Sequence, residues 1–134
     1  MRFVLDTNIW IFYLKNPSSP VGSRLKSTPV SEIVTCSIVW AELLHGARKY
    51  EKRADRVARV ERTLAPFISL PFDNDAARHY AEIRDDLESQ GQVIGSNDLM
   101  IAAIARSHEL TVVSNNAEFK RVAGLNVADW TIPN

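Results

Sequence analysis

The chain has 134 residues, 46% of them apolar, and its 16 basic and 16 acidic side chains cancel to a formal net charge of zero. That length supports one domain with one ordinary core, spanning residues 1–134, and the balanced charge gives no global pull on nucleic acid, so a polyanion must meet a local basic face. A lone Cys36 excludes an internal disulfide and suits a reducing cytoplasm, and the short apolar runs beside Asp6 and Lys15 offer neither a secretory signal nor a membrane span.

In chain order, Phe3-Val4-Leu5 is predicted to be a buried strand ended by Asp6, and Ile9 to Leu14 a short helix stopped near Asn16-Pro17. Val21 to Lys26 reads as a second short helix. Ile33 to Cys36 makes the second strand, and Ser37 is placed to cap a helix carrying Ile38, Val39, Ala41, Leu43 and Leu44 to about Tyr50. A helix over 54–65 shows Val57, Val60 and Leu64 on one face and stops at Pro66. Phe67 to Leu70 is the third strand. Asp73 or Asn74 caps a long amphipathic helix through Ala77, Tyr80, Ile83 and Leu87 that ends before Gly91. The helix opening near Asp98 is apolar almost all round, as a helix buried on several sides is. Thr111 to Val113 is the fourth strand, Glu118-Phe119 a turn of helix, and Val127 the start of a short last strand. Alternating strands and helices indicate an α/β domain with a mainly parallel sheet of four or five strands flanked by helices. Such sheets bind ligands at the carboxyl ends of their strands, where Asp6 and Ser114 fall.

Four acids stand out along this pattern. Asp6 follows the first strand, Glu42 lies just over a turn into the helix after the second, Asp98 opens the buried helix, and Glu118 follows the fourth strand. Right-handed crossovers can bring all four to one edge. Clustered carboxylates repel and raise one another's pKa, whereas an oxygen-only, thiol-free set suits magnesium or manganese. Phosphodiester hydrolysis is the reaction such a set serves. Singly, each acid has a plainer role: Asp6 as a helix cap, Asp98 as a first-turn acid favoured by the helix dipole. Glu42 alone would be solvated or paired with Arg48 or Lys49, and Glu118 solvated. The joint pattern favours the cluster, for Asp6 and Asp98 above all. His45, His79 and His108 have no metal-ligand spacing, and neither Cys36 nor any serine is paired with a base, so nucleophilic catalysis has no support.

Leu5-Asp6-Thr7-Asn8, Ser37-Ile38-Val39-Trp40-Ala41-Glu42-Leu43, Gly95-Ser96-Asn97-Asp98-Leu99-Met100-Ile101-Ala102 and Ser114-Asn115-Asn116-Ala117-Glu118-Phe119 together resemble the PIN-domain ribonucleases, and among them the VapC-type toxins of bacterial toxin–antitoxin pairs. The likeness runs nearly end to end, through Val122-Ala123-Gly124-Leu125 and Asp129-Trp130. It implies a three-layer PIN-like domain and a magnesium- or manganese-dependent endoribonuclease toxin that hydrolyses transfer or ribosomal RNA with metal-activated water. Asp6 and Asp98 would be the principal metal ligands, Glu42 would complete the site, and Glu118 would be the fourth catalytic acid. Thr7 and Ser114 match positions whose hydroxyls bond the acidic centre. Many PIN domains carry an aspartate where Asn116 stands, while the toxin branch commonly has its acid at the position of Glu118. One metal site and a weaker, substrate-assisted second one are therefore expected. The resemblance also implies a cognate VapB-type antitoxin, homodimers and no membrane. Trp10, Phe12, Tyr13, Trp40 and Tyr50 are expected mostly to pack inside, with some lining a groove for the antitoxin.

Arg48, Lys49, Lys52, Arg53, Arg56, Arg59 and Arg62 form a basic run broken by Glu51, Asp55 and Glu61. It is either a solvated face with internal ion pairs or a phosphate track for RNA carried by Arg48, Lys49, Lys52, Arg53 and Arg56. Three other functions compete. An aspartyl-nucleophile phosphohydrolase wants a second aspartate where Asn8 stands, and a phospho-receiver domain wants a late lysine after a strand, whereas Lys120 falls on a helix. A catalytically inactive PIN-like binding module would have had no need to retain Asp6, Glu42 and Asp98. A helix-turn-helix regulator lacks its short basic recognition helix.

Overall fold

Five short strands, β1 (Phe3–Leu5), β2 (Ile33–Cys36), β3 (Ile68–Leu70), β4 (Thr111–Val113) and β5 (Asn126–Ala128), form one sheet in the order β3-β2-β1-β4-β5. This is the arrangement in a computed structural model that describes residues 1–133. All neighbouring pairs are parallel, with Val4 opposite Val34 on one side and Val112 on the other. Consecutive strand residues point to opposite faces, yet Val4 and Leu5, Val34 to Cys36, and Val112 and Val113 are all buried. A sheet apolar on both faces must be covered on both, which makes a layered α/β domain.

The covering helices are α1 (Thr7–Lys15), α2 (Pro20–Ser27), α3 (Ser37–Ala47), α4 (Arg53–Leu64), α5 (Asn74–Ser89) and α6 (Ser96–Ser107). Local chemistry sets several starts. Ser19 accepts the Gly22 amide with Pro20 in the first turn of α2, and Asp73 accepts the Ala76 amide at the start of α5. In α6, Leu99 and Ile101 to Ala105 are all buried, which accounts for its apolar circumference. No helix among the described residues is long and apolar enough to cross a membrane.

Several boundaries differ from the sequence expectations. Cys36, not Ser37, holds the cap position of α3, and it makes no side-chain cap bond. The same helix stops at Ala47 instead of Tyr50, because the chain turns there and reverses through Lys52 in the left-handed region at φ 57°. Asp98 is the third residue of α6, not its first, since the helix starts at Ser96 after Gly95. Of the five aromatics expected mostly to pack inside, Trp10 is buried, edge-on to Tyr13 and tilted against Phe67, and Tyr13 and Trp40 are half-buried. Phe12 and Tyr50 remain 40% and 59% exposed.

Candidate active site at the carboxyl edge of the sheet

The chain leaves β1 toward β2 and β3 on one side, while β4 and β5 lie on the other. That reversal opens a crevice beyond the carboxyl ends of β1 and β4. Asp6 and Ser114 are the first residues past those two ends, and the Ser114 hydroxyl donates to Asp6 Oδ2 at 2.6 Å. Asp6 Oδ1 accepts the Ile9 amide at 2.9 Å, so this carboxylate also caps α1. Capping and a place in the crevice are thus not rivals: one oxygen serves each, and each retains a lone pair.

A relay of bonds runs on from Ser114. Its Oγ accepts the Asn116 amide at 2.9 Å, and Asn116 Nδ2 donates to Asp98 Oδ2 at 3.2 Å. Asn116 Oδ1 accepts the Glu118 amide at 3.0 Å, which fixes the side-chain amide so that its nitrogen faces Asp98. Across the crevice, the Thr7 hydroxyl donates to Glu42 Oε1 at 2.6 Å. Glu42 is not among the acids paired with arginine, and neither Arg48 nor Lys49 reaches it within the ion pairs of the described residues.

The electrostatics follow from this crowding. Burial pushes the Asp6 carboxyl from 3.8 up to about 6, against the bonds from Ser114 and Ile9, and the charges of Asp98 and Glu42 push it the same way. Asp98 is raised by burial, then by the charges of Glu42 and Glu118, with Asn116 opposing. Burial and, more weakly, Glu42 raise the Cys36 thiol. Glu118 lies 4.0 Å from Arg121, which spends a guanidinium nitrogen on the Val93 carbonyl at 2.6 Å. Among the described residues no ion pair takes Asp6, Glu42 or Asp98.

Asp6 and Asp98, raised by burial and by neighbouring acidic charge and with no basic partner in an ion pair among the described residues, suit a hard divalent cation in kind: the donors are oxygen, and a positive charge would relieve the repulsion. Their spacing is wider than a closed ligand shell. Among the described residues no three acidic, histidine or cysteine side chains stand, as placed, where they would hold an ion together. Charge acts over a longer range than coordination, so both observations hold at once.

From Glu42 a groove of about 630 Å³ runs between α1, α3 and α4. Ile11, Leu14, Leu43, Ala47 and Val60 supply its apolar lining, and Lys15, Arg56 and Arg59 its basic rim. Arg59 donates to the Leu14 carbonyl at 2.6 Å, joining α4 to the end of α1. The guanidinium of Arg56 lies 4.7 Å from the centre of the Tyr50 ring. Arg48, Lys49, Lys52 and Arg53 are exposed around the turn that joins α3 to α4. Sequence reasoning missed the Arg59 and Arg121 contacts with backbone carbonyls; only the i,i+3 spacing of Glu118 and Arg121 signalled the nearby ion pair.

Residues 3–125 match the PIN domain family. The chain is 38% identical over 132 residues to a tRNA(fMet)-specific endonuclease VapC of Shigella flexneri, covering 98% of this chain and 99% of that protein. It is 37% identical over 131 residues to Ribonuclease VapC2 of Haemophilus influenzae, covering 97% and 98%. Its fold superposes on a chain of the crystal structure of DNA-bound VapBC from Salmonella typhimurium with a TM-score of 0.92 at 37% identity, covering 97% of this chain and 98% of that one. With sequence and fold shared over nearly its whole length, the chain belongs to the PIN-domain family and, within it, to the VapC ribonucleases.

Proposed function

We propose that this protein is the toxin of a type II toxin–antitoxin pair, an endoribonuclease that cuts transfer or ribosomal RNA in the cytoplasm with the help of magnesium or manganese. The observation that carries the metal assignment is the set of acids that bear on one another around Asp6, at the carboxyl end of β1. Asp6 feels Asp98 and Glu42, and Asp98 feels Glu42 and Glu118, with no basic side chain in the balance. Asp6, Asp98 and Glu42 would hold the ion, with Glu118 as the fourth acid. When bound, the ion supplies Lewis acidity at the phosphoryl group and a nucleophile at neutral pH.

The chain's own residues prepare that site. Ser114 and the Ile9 amide offset part of the burial cost of the Asp6 charge, and the carboxylate is ionised above about pH 6. Thr7 turns Glu42 inward, and Asn116 aims Asp98 while keeping the loop after β4 in register with it. Asp98 also sits in the first turn of α6, where the helix dipole favours a negative charge.

Total RNA incubated with the purified protein tests this reading. Discrete ends should appear with magnesium and vanish with EDTA, and end mapping then names the substrate. Cleavage indifferent to EDTA would remove the ion from the mechanism.

The partner is a VapB-type antitoxin that covers α1 and α3; on α1, Ile11 lines the groove and Phe12 is exposed. The toxin itself forms homodimers, and light scattering at micromolar concentration should show self-association; a strict monomer would count against it. The exposed cations Arg48, Lys49, Lys52, Arg53 and Arg56 form the phosphate track. Charge reversal at Arg53 and Arg56 should weaken RNA binding about tenfold and flatten its salt dependence, because two phosphate contacts and their released counterions are lost. Binding unchanged at low salt would dismiss the track.

A further inference from the structure

We infer that the groove leading away from Glu42 holds the RNA strand flanking the cleaved bond, with Tyr50 and Arg56 forming the surface on which one of its bases stacks; this rests on the ribonuclease reading above. Four observations converge on it. The groove is continuous with the acidic centre, because Glu42, bonded to Thr7 beside Asp6, is one of its lining residues. At the other end Tyr50 is 59% exposed, and the Arg56 guanidinium lies 4.7 Å from its ring centre. A large aromatic left in water beside a planar cation makes a base-sized platform, since every nucleobase presents a π-face and a guanidinium stacks on it as well.

The rim has the sign a polyanion needs. Lys15, Arg56 and Arg59 line the groove, and Lys49, Lys52 and Arg53 are exposed near Tyr50 in sequence, against Glu51 on the turn and Asp55 at the start of α4. Finally, the floor is left open at Gly46. A Cβ built there would meet nothing within 4 Å, so packing against the rest of the protein does not require glycine. Glycine weakens a helix relative to alanine, and a bare backbone on a groove floor lets a ligand approach closely.

The plainer role for the pair is to tie the 48–52 turn to α4, and the two are separable. A uridine oligomer carrying 2-aminopurine at successive positions is bound to protein disabled by Asp98→Asn, and cleavage kinetics are measured on the active background. Tyr50 and Tyr50→Phe should quench the fluorescence at one position. Tyr50→Leu should lose that quench and raise KM about tenfold with kcat little changed, in line with the worth of one stacked base. Gly46→Leu, which has room to fold, should fill the groove and raise KM in the same way, and it keeps the test valid if Tyr50→Leu melts early.

Cleavage with unchanged KM and unchanged quench in both variants would overturn the platform and leave the ribonuclease reading standing. A wild-type protein that neither binds nor cuts RNA would sink both. Since the antitoxin lies against the same helices, its weakened retention does not bear on the platform unless RNA affinity and quench are unaltered, which would leave the groove to the protein partner alone and overturn the inference.

Discussion

Asp98→Asn should lower RNA cleavage on the order of a thousandfold, while the protein folds and melts much as the wild type does. The substitution keeps size and shape, and the asparagine oxygen still accepts the Asn116 amide that reaches Asp98 at 3.2 Å. Only the charge is lost. A divalent ion bound by several carboxylates loses one of its anionic ligands, and with it much of the stabilisation of the phosphoryl group under attack. Initial rates over a magnesium titration measure the effect. The deficit should shrink at high magnesium if affinity is what suffers, and persist if positioning is. Cleavage at the wild-type rate would refute the assigned centre.

The second large effect concerns stability and has an unusual sign. Asp6 ionises near 3.8 when free and at about 6 in the fold, because burial disfavours its charge more than Ser114 and Ile9 favour it. Between those values the folded protein keeps a proton that the unfolded chain has released. Stability of the metal-free protein therefore falls as pH rises from about 4 to about 6, and then levels off, by roughly 2–3 kcal/mol. Asp98, also raised, acts in the same direction. Asp6→Asn removes the Asp6 share while asparagine still caps α1. At pH 7 without metal the variant should melt roughly 5–10 °C above the wild type, and at pH 4 the two should nearly coincide. Magnesium should narrow the gap at pH 7 by stabilising the wild type alone. A variant that melts below the wild type at pH 7 in EDTA would contradict the burial cost.

These expectations turn on contacts of very different sequence range, and that range divides what was legible. The alternation of apolar strands and helices, the burial of α6 on all sides and the parallel character of the sheet are local or periodic properties, and they were readable residue by residue. So was the presence of four acids, Asp6, Glu42, Asp98 and Glu118, within or beside the elements that flank the strand ends. Helix ends were less readable. Ser37 has the chemistry of a cap, yet the backbone enters α3 at Cys36, and α3 ends at Ala47 although Arg48 to Tyr50 contain no helix breaker. The turn through Lys52 at φ 57° depends on where α4 must pack, which no propensity records.

Sequence by itself determined the kind of chemistry on offer: oxygen donors, no thiol or imidazole set, and a basic run on one segment. Tertiary structure alone decided how the acids are held. Ser114 reaches Asp6 across 108 residues and Thr7 reaches Glu42 across 35, and Asn116 turns its nitrogen, not its oxygen, toward Asp98. It also left Tyr50 in water beside Arg56 when an aromatic would by default be placed in the core. The reason is physical. Periodicity reports which face of an element is apolar, whereas the order of strands in a sheet, and hence which loop ends meet, is set by the packing of whole elements.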